Sequence, residues 1–265
     1  MPHHIVLAHG IFGWGEDWPT ALLPPYFRGV SKQLEAQNHT VIAPGVPPLG
    51  HVTDRAEKLA QAIDDAWSDD QEFHIIAHSM GGLDARCMLA MRDDLRQRCK
   101  TLIAIATPHY GSPVADAIHR GTGPLFEAAR DTWLAPLLNH VAALQDLLTP
   151  DPRALPHPDQ AEVRYVDVAC NAALADRQSP LFALAQKIGG ITREVNDGVV
   201  LRSSALVDGH EHRLDWPVDH GGAIGWETGL PASPLDLGEL VQALAGPSRE
   251  HLRRYADLVN EVLGP

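Results

Sequence analysis

The chain has 265 residues, 45% of them hydrophobic and 21% charged, with a formal net charge of −13 and three cysteines. That length carries one large core more readily than two, and the composition excludes a disordered or fibrous chain. The acidic balance gives no electrostatic footprint for nucleic acid, and no apolar run approaches the roughly 18 residues of a membrane span. The first apolar run, I-V-L-A at 5–8, predicts a buried strand because it is continuous rather than alternating. A helix over about 26–36 and a strand at T-V-I-A, 40–43, follow. In 54–67 the apolar residues Ala56, Leu59, Ala60, Ile63 and Trp67 recur at steps of three and four, which predicts a helix capped by Asp54. F-H-I-I-A-H at 73–78 and T-L-I-A-I-A at 101–106 read as two more strands, with a helix over 80–95 between them. Strand and helix in alternation imply the α/β class, a mostly parallel central sheet with helices on both faces.

Beyond T-P-H-Y-G-S at 107–112 the rhythm changes. The stretch from about 113 to 160 is rich in leucine and alanine, ends in a proline-rich return, and reads as one or two helices that pack on the sheet or cover something. Strand signals resume at 163–169 and 212–218, and an amphipathic helix begins near a Ser248 cap. Residues 1–265 read as a single domain. The N-terminus has neither a basic leader region nor a long enough apolar run for a signal peptide, and Cys87, Cys99 and Cys170 match no zinc or redox spacing. A cytoplasmic protein with reduced cysteines is the expectation.

The run I-I-A-H-S-M-G-G at 75–82 stops a strand at Ser79. A serine on a tight turn between a buried strand and a helix holds its Oγ clear at the carboxyl edge of the sheet, where open α/β sheets bind ligands. Small neighbours let such a turn close, and Ala77 and Gly81 supply them. A hydroxyl becomes a useful nucleophile when a base takes its proton and an acid orients the base. In this architecture the chain order is serine, acid, histidine. Asp197, in V-N-D-G-V-V, and His220, in D-W-P-V-D-H-G-G, fit that order, with Asp208 and Asp219 as rival acids and His210, His212 and His109 as rival bases. Two backbone N–H groups must then meet the developing oxyanion. Met80, after the serine, gives one, and Ile11, in the A-H-G-I-F-G-W-G loop after the first strand, gives the other. No metal is expected: His3, His4 and His9 have no carboxylate cluster at ligand spacing, and H-E-H at 210–212 has no partner motif. No cofactor signature occurs either.

With H-G-I-F-G at 9–13, A-H-S-M-G-G-L-D-A-R at 77–86, A-T-P-H-Y-G-S at 106–112, N-D-G-V-V and S-S-A at 196–205 and the loop at His220, the chain resembles bacterial lipases of the α/β-hydrolase fold. It is most similar to the group that includes the Pseudomonas and Burkholderia lipases. The resemblance implies Ser79 as nucleophile, Asp197 as acid, His220 as base, Ile11 and Met80 as oxyanion donors, and a lid or cap near 113–160. It implies an esterase or lipase acting on medium to long acyl chains, with a small-molecule or lipid ester as substrate and transient contact with a lipid interface. Phe12, Trp14 and Trp18 beside the oxyanion loop, and Phe126, Trp133, Leu137 and Leu138 in the cover, are the candidates for acyl contact. A polyester, thioester or phospholipid hydrolase or an acyltransferase is the alternative, and a noncatalytic binding module a remote one. One departure stands out. That group carries a calcium-binding aspartate two positions beyond the catalytic histidine, where this chain has Gly222, so a calcium site of that type is not expected.

Overall fold

In the computed structural model, residues 1–15, 25–121, 142–149, 155, 157–191, 193–226 and 246–264 are described. Six parallel strands, β1 (His4–Ala8), β2 (Thr40–Ile42), β3 (Phe73–His78), β4 (Cys99–Ile105), β5 (Arg164–Val168) and β6 (Glu211–His212), form one sheet in the order β2-β1-β3-β4-β5-β6. The apolar runs of β1, β3 and β4 are continuous because both faces of the sheet are buried there. In β1, Val6 and Ala8 enter a core shared with α2 (Val52–Ala66) and α3 (Met80–Met91), while Ile5 and Leu7 enter a second core with α1 (Val30–Ala36) and the C-terminal helix. Numbered in chain order, the remaining described helices are α4 (Asp93–Arg98), α5 (Pro113–Arg120), α6 (Ala142–Asp146), α7 (Pro180–Gly189), α8 (Arg202–Ala205) and α9 (Arg249–Leu263). Cys87, Cys99 and Cys170 are free and buried. Among the described residues no helix is long and apolar enough to cross a membrane.

Four local expectations need correction. The first helix begins at Val30, after Gly29 in the left-handed region at φ 75°; Tyr26 and Phe27 precede it and are buried as single anchors. Helix α2 starts at Val52, so Asp54 lies in its first turn and His51 is the N-cap. The Val52 N–H is met by Asp146 Oδ2 at 2.8 Å, a contact across 94 residues. The helix over 80–95 is interrupted at Arg92, whose backbone is extended at φ −120° and ψ 94°. Its guanidinium ties down the corner by bonding Asp64 at 2.9 Å and Asp94 at 2.5 Å. Finally, the last strand is only two residues long. Leu214, 91% exposed, and Asp215 leave the ladder, Asp215 bonding Arg202 at 2.7 Å, and pairing resumes for a single bridge between Cys170 and Trp216. Ser248 caps α9 through the His251 N–H. Of the expected cover near 113–160, α5 and α6 are described, and residues 122–141, 150–154 and 156 lie outside the described residues.

Candidate active site

Strand order reverses between β1 and β3: the chain steps outward from β1 to β2, then back across β1 to β3. Ligands of open α/β sheets bind in the crevice at such a reversal, beyond the carboxyl ends of the strands. Ala8 pairs with Ala77 there, so the residues that follow both strands emerge side by side. Only Ser79 separates β3 from α3, and it turns the chain with φ 56° and ψ −131°, its N–H held by Ile105 O at 2.9 Å. The paired glycines after it answer to their neighbours. A Cβ on Gly81 would stand 2.3 Å from Ala8 O, and one on Gly82 would stand 2.2 Å from Thr107 Oγ1. Gly81 is small because the end of β1 presses on it: its close neighbours are Ala8 and His9 rather than Ala77.

Ser79, His220 and Asp197 lie in one chain of hydrogen bonds. His220 Nε2 is 3.0 Å from Ser79 Oγ and Nδ1 is 2.7 Å from Asp197 Oδ2. A carboxylate can only accept, so Nδ1 carries the ring proton and Nε2 presents a lone pair to the serine hydroxyl. Asp197 Oδ1 accepts from the Val199 and Val200 N–H groups at 2.9 and 2.8 Å, closing the Asp-Gly turn. The His220 N–H donates to Asp197 O at 2.9 Å, so acid and base are joined through main chain as well as side chain. All three residues are buried.

In the loop after β1, the Gly10 N–H donates to the Tyr26 hydroxyl, the Phe12 N–H to Pro48 O and the Gly13 N–H to Gly10 O. The Ile11 N–H has no acceptor among the described residues, and neither has the Met80 N–H in the first turn of α3. His9 braces this loop: Nδ1–H donates to Gly10 O at 2.8 Å and Nε2 accepts from Val46 N–H at 3.0 Å. Burial, aided by the Arg55 charge, lowers the His9 pKa to about 4, which keeps the imidazole neutral for both roles. Beneath it, Arg55 Nε and Nη2 bond the Asp84 carboxylate at 2.7 to 3.0 Å, and the same guanidinium donates to His9 O and Pro47 O, each at 2.8 Å. Phe12, at φ 59° and 37% exposed, stands on the outer side of the loop, whereas Trp14 packs edge-on against Tyr26 and Trp226. Trp18, Phe126, Trp133, Leu137 and Leu138 lie outside the described residues.

Residues 50–149 match the PGAP1-like alpha/beta domain. Over 99 residues the chain is 35% identical to triacylglycerol lipase 2 of Saccharomyces cerevisiae, a match that spans 35% of this chain and 30% of the yeast protein. Among solved structures it is similar to a metagenomic carboxyl esterase (TM-score 0.68, 19% identity, covering 98% of this chain and 76% of the other). It is also similar to the Staphylococcus hyicus lipase (0.65, 14%, 99% and 95%) and to the mature Bacillus licheniformis lipase (0.62, 21%, 84% and 86%). The chain has the α/β-hydrolase fold. Within that fold the rival residues are engaged elsewhere. His210 bonds Asp167 and Asp159, His109 lies 3.4 Å from Asp167, and His212 bonds Val207 O. Among the described residues Asp219 accepts only from backbone N–H groups, those of Ser179 and Gly222.

Several residues of the candidate site escape a reading by motif. Tyr26 takes the Gly10 N–H and bonds His78 Nδ1 at 2.8 Å, and the His78 ring lies 4.6 Å from that of His220. Burial and the His220 charge hold the His78 pKa well below its ordinary value. Arg55 did leave a signal: it occupies the apolar stripe of α2, between Val52 and Ala56, where a charge must be paired. The calcium position of the resembled group does not fit here. Gly222 offers no side chain, a Cβ on it would meet Val218 at 2.9 Å, and its N–H is already bound by Asp219.

Proposed function

We propose that the chain is a serine hydrolase of carboxylic esters, acting through an acyl-enzyme. The observation that carries this reading is the continuous bond chain from Ser79 Oγ through the His220 imidazole to Asp197, ending at the strand reversal. His220 Nε2 accepts the hydroxyl proton as Ser79 Oγ attacks the ester carbonyl, and Asp197 holds the imidazolium that results. The Ile11 and Met80 N–H groups receive the oxyanion. His220 returns the proton to the departing alcohol, and water repeats the sequence on the acyl-enzyme. Similarity to a triacylglycerol lipase and a carboxyl esterase supports an ester as substrate, and the motifs at 9–13, 77–86 and 106–112 support kinship with the Pseudomonas and Burkholderia lipases. Medium to long acyl chains, with Phe12 at the acyl-binding mouth and 113–160 as a cover, belong to the same proposal.

The test is hydrolysis of p-nitrophenyl esters by Ser79→Ala. Loss of about 10⁴- to 10⁶-fold in kcat with a folded protein is expected; retention of most of the activity would end the assignment.

A further inference from the structure

Helix α7 reads P-L-F-A-L-A-Q-K-I-G, is apolar over most of its length, and has no fully buried residue. Its beginning is nevertheless fastened, and to the turn that carries His220. Ser179, its N-cap, makes no side-chain capping bond; its N–H instead donates to Asp219 Oδ2 at 2.7 Å. Asp219 Oδ1 accepts from the Gly222 N–H at 2.8 Å, and Asp219 O from the Ala223 N–H at 3.1 Å. The carboxylate thus clasps the start of α7 to the Gly222 N–H, and the Asp219 backbone carbonyl holds the next residue, Ala223. Phe182 completes the fit. A Cβ on Gly198, after the acid, would stand 2.8 Å from Phe182 Cβ, and one on Gly221, after the base, 2.6 Å from Phe182 Cε2. The Phe182 ring meets the His220 ring edge-on at 5.7 Å.

Asp219 is 1% exposed and has no ion pair among the described residues. A buried carboxylate without a cation is costly even when two amides bond it. Burial, with the Asp197 charge adding to it and the two amides and His220 opposing it, pushes its pKa up to about 6. The ionisable groups around it are Asp197 and His220 in the site, Cys170 after β5, and Arg254 of α9, whose Nη2 donates to Gly222 O at 3.4 Å. We propose that Asp219 is a positioning residue, stapling the His220 turn to the start of α7 so that the imidazole stays aligned between Ser79 and Asp197. The proposal rests on the reading of Ser79 as nucleophile and His220 as base.

Asp219→Asn keeps the shape, removes the charge, and sets an amide NH₂ against one of the two N–H donors. On a short p-nitrophenyl ester, kcat is expected to fall about 10- to 100-fold, the effect of a slightly misplaced base, with KM nearly unchanged. The acid limb of the pH profile is expected to lose the protonation that Asp219 contributes. Ser179→Pro removes one donor at a residue whose φ of −60° suits proline, and is expected to lower kcat in the same direction. A proton NMR spectrum tests the alignment without turnover: the wild type is expected to show the His220 Nδ1 proton far downfield, and Asp219→Asn is expected to lose that signal. Wild-type kcat, acid limb and downfield proton in both variants would overturn the proposal, as would a kcat loss that merely follows a lowered unfolding midpoint. A downfield proton that depends on Asp219 in a wild type hydrolysing no ester would refute the functional reading and uphold the positioning.

Discussion

Ser79 holds a backbone conformation that a side chain disfavours, at φ 56° and ψ −131°. Strain of this kind costs about 1–3 kcal/mol and persists where the surroundings impose it. Here they are the Ile105 carbonyl that takes its N–H, β1 against Gly81 and Thr107 against Gly82. Comparing two variants isolates the cost, since Ser79→Ala and Ser79→Gly both lose the hydroxyl and only glycine relaxes the backbone. With the entropy of glycine in the unfolded chain set against the strain, Ser79→Gly is expected to be about 1 kcal/mol more stable in urea unfolding. Equal stability, or a more stable alanine variant, would contradict stored strain at the turn. The serine itself is legible in sequence, because a strand, a lone serine and two glycines make a local pattern. The reason for each glycine is not, since Ala8 and Thr107 approach from other segments.

Among the elements, α2 and α3 are tied to the end of β1 by one buried ion pair, Arg55 with Asp84. Burial pushes the Asp84 carboxyl up to about 7 against the opposing Arg55 charge, so Arg55 is what keeps a charge tolerable there. Arg55→Met leaves that carboxyl unpaired and is expected to cost about 3–5 kcal/mol in chemical unfolding. The double variant Arg55→Met with Asp84→Leu removes both charges and is expected to recover most of the stability. It is not expected to recover ester hydrolysis, because His9 O and Pro47 O have still lost their donors and the Ile11 loop its brace. A double variant as active as the wild type would show that the brace is irrelevant to catalysis. Continuous apolar runs made the first four strands readable; burial on both faces imposes them in β1, β3 and β4, and half-burial suffices in the edge strand β2. The shortened β6 and the Val52 cap from Asp146 were not, because each depends on a partner far along the chain.

Across the whole molecule, β5 is tied to the segment before it and to the loop before β6 through a cluster the proposed chemistry does not use. Asp167 accepts from His210 Nδ1 at 2.8 Å, His210 Nε2 reaches Asp159 at 3.1 Å, and Arg86 bonds Asp159 at 2.8 Å. Burial alone would lower the His210 pKa, but the bonds and charges of Asp167 and Asp159 outweigh it and raise the pKa above its ordinary value. The group therefore contributes stability that is fully present below about pH 6.5 and is lost as pH rises through the folded value. Asp167 is opposite in sign: burial raises its pKa, His109 and His210 more than offset this, and the carboxyl stays well below the usual range. Its contribution is present above about pH 4 and fades in acid. The thermal midpoint of the wild type is expected to fall between about pH 6 and 9, and that of His210→Gln to fall less over the same interval. Parallel curves would dismiss His210 as a source of the pH dependence. Fifteen histidines made His210 one of several rival bases in sequence; only the distances separate the base that faces a serine from the one clasped by two carboxylates.

The most direct measurement of the central claim is treatment of the intact protein with a fluorophosphonate, followed by mass spectrometry of its peptides. A serine activated by His220 forms a phosphonyl ester, and one that merely ends a strand does not. The expected result is a single adduct per chain on Ser79, absent from His220→Ala. An unlabelled wild type, or an adduct undiminished in His220→Ala, would contradict the account.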